Sequence, residues 1–154
     1  MAKLICGIDP GMSGAFALLA DGELVEVADM PIIEVNGKRR LNAAAAAEIV
    51  IRFNAAFTVI EAVSAMPKQG VSSTFKFGCA YGMARGIIGA LGIKTVLVRP
   101  AKWKKFFALG AEKEKSRELA INLWPRSEAF QRKKDHGRAE AALLALYGAY
   151  TILD

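Results

Sequence analysis

Cysteine and histidine are scarce in this chain of 154 residues, which has two of the first and one of the second. Cys6 and Cys79 stand far apart with no metal-type spacing, which argues against a zinc ribbon or a disulfide framework and for a reducing, cytoplasmic setting. No acylating triad surrounds either cysteine, so both read as small buried hydrophobes. Long apolar runs are missing as well. The longest, 141–153, is shorter than the roughly 18 residues a membrane span needs, so no membrane partner is expected. The apolar run after Lys3 is interrupted at Asp9, too soon for a signal peptide. No repeat, linker or low-complexity segment divides the sequence.

What is present describes one ordered domain, 1–154, with 53% hydrophobic and 23% charged residues. The net charge of +6 is unevenly spread. Eleven Lys or Arg lie between Arg99 and Lys134 against Glu112, Glu114, Glu118 and Glu128, whereas the remaining residues carry ten basic and eleven acidic groups. A confined positive surface on a balanced domain is the footprint of a polyphosphate partner. A solvated helical face is the plainer reading, and the nucleic-acid reading is preferred because of the acidic residues described next.

Apolar patterning predicts strands at 4–8, 15–20, 24–28, 57–60 and 94–98, with Asp21-Gly22 as a hairpin turn. The segment 31–40 reads as irregular, with a turn at Asn36-Gly37. Helices are expected from the alanine run after Asn42, from Ser72 or Ser73 to about Leu91, at 101–108 and 112–123, and at 138–152. This order gives an α/β fold, a five-stranded mixed sheet with helices on both faces. A right-handed crossover sets the strand at 57–60 beside the strand at 4–8.

Asp9 and Glu61 then close two neighbouring buried strands, and Glu140 lies on the final helix. Carboxylates at buried strand ends are costly unless paired or bound to a cation. An all-oxygen set suits Mg²⁺, and with a basic surface nearby it suggests a metal-dependent nuclease. Taken singly, each acid has a plainer reading: a turn residue at Asp9, an exposed strand-end acid at Glu61, and a first-turn helix acid at Glu140.

Gly7-Ile8-Asp9-Pro10-Gly11, followed by Ser13-Gly14, resembles the opening of RuvC-type Holliday junction resolvases, members of the ribonuclease H-like superfamily. The resemblance continues through Ile60-Glu61-Ala62-Val63, the glycine-rich Phe77–Gly86, Gly110 and Lys115-Ser116. It ends at Asp135-His136-Gly137-Arg138-Ala139-Glu140-Ala141, in the form of phage-type relatives. It implies a ribonuclease H-like fold and a structure-selective endonuclease that resolves four-way DNA junctions by paired nicks in a bacterial or phage-infected cell.

The implied catalytic and metal-binding residues are Asp9, Glu61, Asp135 and Glu140, holding two Mg²⁺ ions for which Mn²⁺ can substitute. Asp9 would bridge the ions, with Glu61 on one and Glu140 with Asp135 on the other. Asp135 competes with His136 for the fourth place. It is preferred because oxygen suits Mg²⁺ better than imidazole, and its plainer reading is a helix N-cap. His136 is then a proton donor, a supporting group or an exposed residue.

DNA contacts are expected from Lys68, Gln69, Ser72, Phe75 and Lys76 after Glu61, and from Lys102, Lys105 and Lys115, with Lys104 and Lys113 beside them. Phe75, or Met66, would be the wedge at the junction centre, although Phe75 also suits a core position. Gly78, Gly82 and Gly86 mark either a homodimer interface or close packing on the chain's own sheet. Trp103 and Trp124 read as core. Other readings are an RNA–DNA hybrid or branched-DNA nuclease, a catalytically silent binding subunit and, weakest, an actin-like nucleotide-binding domain.

Overall fold

Seven strands and five helices describe the protein in a computed structural model covering residues 2–152; Leu153, the end of the longest apolar run, lies outside the described residues. The main sheet contains β1 (Leu4–Asp9), β2 (Ala15–Ala20), β3 (Glu23–Asp29), β6 (Phe57–Glu61) and β7 (Lys94–Val98) in the order β3-β2-β1-β6-β7. Strands β1, β2 and β3 form an antiparallel meander, and β6 runs parallel to both β1 and β7. Burial of β1 and β6 on both faces explains their near-continuous apolar runs.

The two sheet faces are covered differently. Side chains at Ile5, Ala17, Leu19, Phe57 and Val59 pack on α5 (His136–Thr151), together with Trp103 of α3 (Pro100–Phe106) and Ala120 of α4 (Lys113–Leu123). Alternate residues, among them Cys6, Ile8, Phe16 and Ile60, pack under α1 (Ala43–Phe53) and α2 (Val71–Ala90). The period of two along a strand produces this division. It sends Asp9 and Glu61, in step with Ile5 and Val59, toward the α5 face.

Helix boundaries follow local chemistry. The Asn42 side chain accepts a hydrogen bond of 3.1 Å from the Ala45 N–H at the start of α1, and Asn54 ends that helix in the left-handed region. Pro100 occupies the first turn of α3, where its missing N–H costs nothing. Helix α2 begins one residue before Ser72, with Gly70 at the cap and no side-chain cap bond, so neither Ser72 nor Ser73 caps it.

The segment read as irregular is in fact a hairpin, β4 (Ile32–Val35) and β5 (Lys38–Leu41), forming its own two-stranded sheet. Asn36 and Gly37 adopt positive φ values of 52° and 74°, as the tight two-residue turn between twisted strands requires. Exposure explains the misreading: Ile33 and Val35 are 40% and 38% exposed, so no buried apolar face marks this segment as sheet.

Candidate metal centre and nucleic-acid interface

Strands β1 and β6 pair with Ile8 opposite Ile60, so the next residues, Asp9 and Glu61, emerge side by side. Helix α5 crosses above them. A Cβ on Gly7 would lie 2.0 Å from the Ala141 carbonyl oxygen and 2.7 Å from the Ala145 nitrogen, so only glycine lets the helix backbone settle on the strand. That approach brings Glu140, one residue before Ala141, to the strand ends. One carboxylate oxygen from each of Asp9, Glu61 and Glu140 lies within 4.8 Å of the others.

Like charges this close repel by roughly 3 kcal/mol or more per ionised pair at an effective dielectric constant near 20. Burial, then the nearby charges of Glu140 and Glu61, pushes the Asp9 carboxyl well above its usual range, with Lys113 acting against the shift. Glu61 is also raised, chiefly by burial, although the Trp103 indole N–H donates to its Oε2 at 2.8 Å and favours the charged form. Three oxygen donors in electrostatic conflict fit a hard divalent cation, which would remove that conflict. They offer no sulfur or nitrogen ligand for a softer metal.

The acids open into a cleft of about 580 Å³, where Lys76, Lys104, Lys113 and Lys134 surround them. The Phe77 ring closes one side, with an edge carbon 3.2 Å from where a Cβ on Gly11 would stand. A floor of carboxylates under a rim of lysines can take a phosphate near the acidic cluster while keeping opposite charges apart. Among the described residues no helix is long and apolar enough to cross a membrane.

No protein-family model and no curated protein matches the sequence. Among solved structures, Thermus thermophilus RuvC in complex with Holliday junction substrate matches with a TM-score of 0.67, covering 97% of this chain and 94% of that one at 19% identity. The yeast mitochondrial Holliday junction resolvase Ydc2 gives a TM-score of 0.54 over 96% of this chain and 79% of that one, at 14% identity. Fowlpox virus resolvase with its substrate Holliday junction DNA gives 0.52 over 92% and 95%, at 16% identity. This chain has the RuvC fold.

Within this RuvC fold, three of the four anticipated ligands meet and Asp135 does not. Its carboxylate accepts from the Arg132 backbone N–H at 2.8 Å and the Arg132 Nε at 3.0 Å, and Arg138 lies 3.7 Å away. Burial alone would raise the Asp135 carboxyl, but these hydrogen bonds and charges outweigh it and hold the group below its ordinary value. It stands at the N-cap position of α5 without bonding the helix N–H groups. His136 and Gly137 face the cleft instead. His136 Nε2 is 3.6 Å from a Glu114 oxygen, and a Cβ on Gly137 would be 2.3 Å from the Ser13 carbonyl oxygen and 3.3 Å from Asp9 Oδ2.

The expected DNA contacts divide similarly. Lys76 lines the RuvC-fold cleft, while Ser72 and Phe75 lie on a neighbouring groove, with Phe75 72% exposed and therefore not core. Lys68 is exposed, and Gln69 uses its side-chain oxygen to accept from the Met66 N–H within the loop. Lys102 does not line the cleft, Lys105 lies on a shallow recess beside Lys104, and Lys115 pairs with Glu118 at 3.4 Å. Lys104, Lys113 and Lys134 line the cleft instead; a helical turn of about 100° per residue separates Lys104 from Lys105.

Both tryptophans are buried, and Trp103 has the further task of holding Glu61. Only the Trp103 position between Lys102 and Lys104 hinted that it points toward the sheet. Cys6 is buried as anticipated, but Cys79 is exposed. Among the described residues, no atom outside the helix's own nearby backbone lies within 4 Å of a Cβ built on Gly78, Gly82 or Gly86, so these glycines do not pack against the sheet described here.

Proposed function

We propose that this protein is a divalent-metal-dependent, structure-selective endonuclease that resolves four-way DNA junctions into nicked duplexes. The observation that carries this reading is the Asp9–Glu61–Glu140 cluster at the strand ends of a RuvC fold. Two of the similar structures were solved with Holliday junction DNA, which supports the same substrate class here. A scaffold that only bound DNA would have no need to hold three carboxylates in conflict, which weighs against a silent subunit.

Asp9, Glu61 and Glu140 would hold Mg²⁺, with Mn²⁺ as a substitute. When bound, a pair of such ions activates water and stabilises charge on the leaving oxygen of an in-line displacement. The chain's own groups prepare that reaction. Trp103 orients Glu61 and favours its ionised form through its indole N–H, against the upward pull of burial. Burial and the neighbouring acids favour the protonated form of Asp9, so ion binding there would be coupled to proton release. Lys76, Lys104, Lys113 and Lys134 draw the scissile phosphate over the carboxylates. Phe77 and the β1–β2 turn wall one side of the cleft.

Paired nicks on opposite strands call for two clefts related by a two-fold axis, and a homodimer provides them. The open glycine face of α2 supports that assembly, because a second backbone can approach where no side chain intervenes. We place the activity in the cytoplasm of a bacterial or phage-infected cell.

Cleavage of labelled four-way junction, duplex, flap and RNA–DNA hybrid substrates, side by side with Mg²⁺, tests the proposal. Preferential paired nicking of the four-way junction is expected. Preferential cleavage of the hybrid would reassign the same site to ribonuclease H-type activity, and no cleavage of any substrate would reject a nuclease.

A further inference from the structure

Glu140 lies early in α5, yet nothing local fixes where that helix begins. Its N-cap residue, Asp135, makes no side-chain cap bond, and no acid stands in the first turn to favour the macrodipole. Arg138 acts against it, because a cation near a helix N-terminus is electrostatically disfavoured. The placement of this end of α5 therefore depends on tertiary contacts.

The Arg138 guanidinium supplies one. Its Nε donates to Asp29 Oδ1 at 2.7 Å and its Nη2 to Asp29 Oδ2 at 2.8 Å, a two-pronged pairing. The remaining Nη1 donates to the Ala129 carbonyl oxygen at 3.2 Å. Asp29 ends β3 in the same row of the sheet as the cluster, opposite Ala15 of β2, which is itself opposite Asp9 of β1. Side chains directly opposite one another share a face, so Asp29 is directed to the α5 side as Asp9 is. Two strand spacings put its backbone about 10 Å from that of Asp9. On the helix, Arg138 and Glu140 are separated by about 200° and leave it on opposite sides. Gripping one side sets the rotation at which the other meets the strand ends.

We propose that the Arg138–Asp29 fork positions the third carboxylate of the candidate metal centre. By clamping α5 to the end of β3, it fixes the helix rotation that places Glu140 beside Asp9 and Glu61. The inference rests on the metal-dependent reading above and adds two positioning residues, neither of which belongs to the cluster or lines the cleft. Leverage gives the pair its weight. A side-chain end about 6 Å from the helix axis moves by about 1 Å when the helix turns by about 10°, and a misplacement of about 1 Å can cost about 10²-fold in rate. As a source of stability the pair counts for little, because the Asp29 side chain is 58% exposed and exposed ion pairs contribute weakly. Lysine at position 138 would keep the charge without the planar fork.

The probe is Mn²⁺ alone, titrated calorimetrically into the full chain without DNA. Arg138→Lys and Asp29→Asn should each weaken Mn²⁺ binding severalfold, while thermal unfolding of the ion-free proteins stays close to that of the parent. Asp29→Glu, which keeps a carboxylate, should regain most of the affinity that Asp29→Asn loses. Arg52→Lys, in the exposed Arg52–Glu26 pair that joins α1 to β3, should change neither quantity. Unchanged Mn²⁺ affinity in Arg138→Lys and Asp29→Asn, with or without a lower melting temperature, overturns the positioning role and leaves the nuclease reading intact. If Arg138→Lys does not fold, the exposed Asp29→Asn decides alone. A parent chain that binds no Mn²⁺ removes both readings.

Discussion

Asp9 is the residue at which stability and activity conflict most directly. Its carboxyl is raised by burial and by Glu140 and Glu61, so the folded state binds its proton more tightly than the unfolded state does. The stabilisation is therefore greatest below the ordinary carboxylate range and declines as pH rises through the raised value. Without divalent ion, Asp9→Asn should be more stable than the parent at neutral pH, and thermal unfolding should show the gap closing in acid or on adding Mg²⁺. The same variant should lose cleavage while still binding junctions in a gel-shift assay; turnover within tenfold of the parent, against the 10²–10⁴-fold typical of catalytic groups, removes Asp9 from the reaction. Trp103 acts one step further out. Trp103→Phe keeps an aromatic ring but deletes the donor to Glu61, and the ion concentration for half-maximal cleavage should rise by about 10- to 100-fold. An unchanged metal titration would mean that the indole serves packing alone. Asp135 has the opposite sign to Asp9: its carboxyl is lowered, so its stabilisation is present above the ordinary range and is lost as pH falls. Asp135→Asn should accordingly lower the melting temperature more than it shifts the metal titration, whereas a metal ligand would do the reverse.

At the scale of elements, the five main strands were legible because each is an apolar run bounded by a turn or an acid, and because right-handed crossover leaves one neighbour for β1. Glu140 was legible with them, since any helix covering that face reaches the same strand ends. The hairpin was not. Its strands are largely exposed, β5 with three consecutive charges and β4 with Glu34, so Asn36-Gly37 could be recognised as a turn without the strands around it. Asp135 failed for a related reason. Spacing cannot tell on which side of a helix start a carboxylate will turn, and Arg132, only three residues away, captures it before the cleft can. The meeting of Gly7 with the α5 backbone was likewise hidden, because a glycine in a strand has several causes. Its consequence is testable at this scale. Gly7→Ala places a methyl group against the Ala141 carbonyl, so it should cost about 1–3 kcal/mol in chemical denaturation and weaken cleavage by lifting Glu140. Unaltered stability would mean that α5 can shift without loss.

For the whole molecule, the exposed face of α2 is the surface with the most at stake. Gly82→Leu fills the space left open beside the helix, so it should drive the protein toward monomer in sedimentation and convert paired cuts into single nicks. A well-folded dimer that still makes paired cuts would move the interface elsewhere. The cluster depends on a long-range arrangement: Asp9 and Glu140 lie near opposite ends of the described chain, joined only when α5 docks on β1. Pairings between such distant segments form slowly relative to local ones. During synthesis the strands, the lysines of α3 and α4 and even the Asp9–Glu61 pair can be in place while the third carboxylate is still being made. Under the proposed function, a nascent chain would attract DNA before it could cut it, because α5, which brings Glu140, follows every other described element and so works as a safety catch.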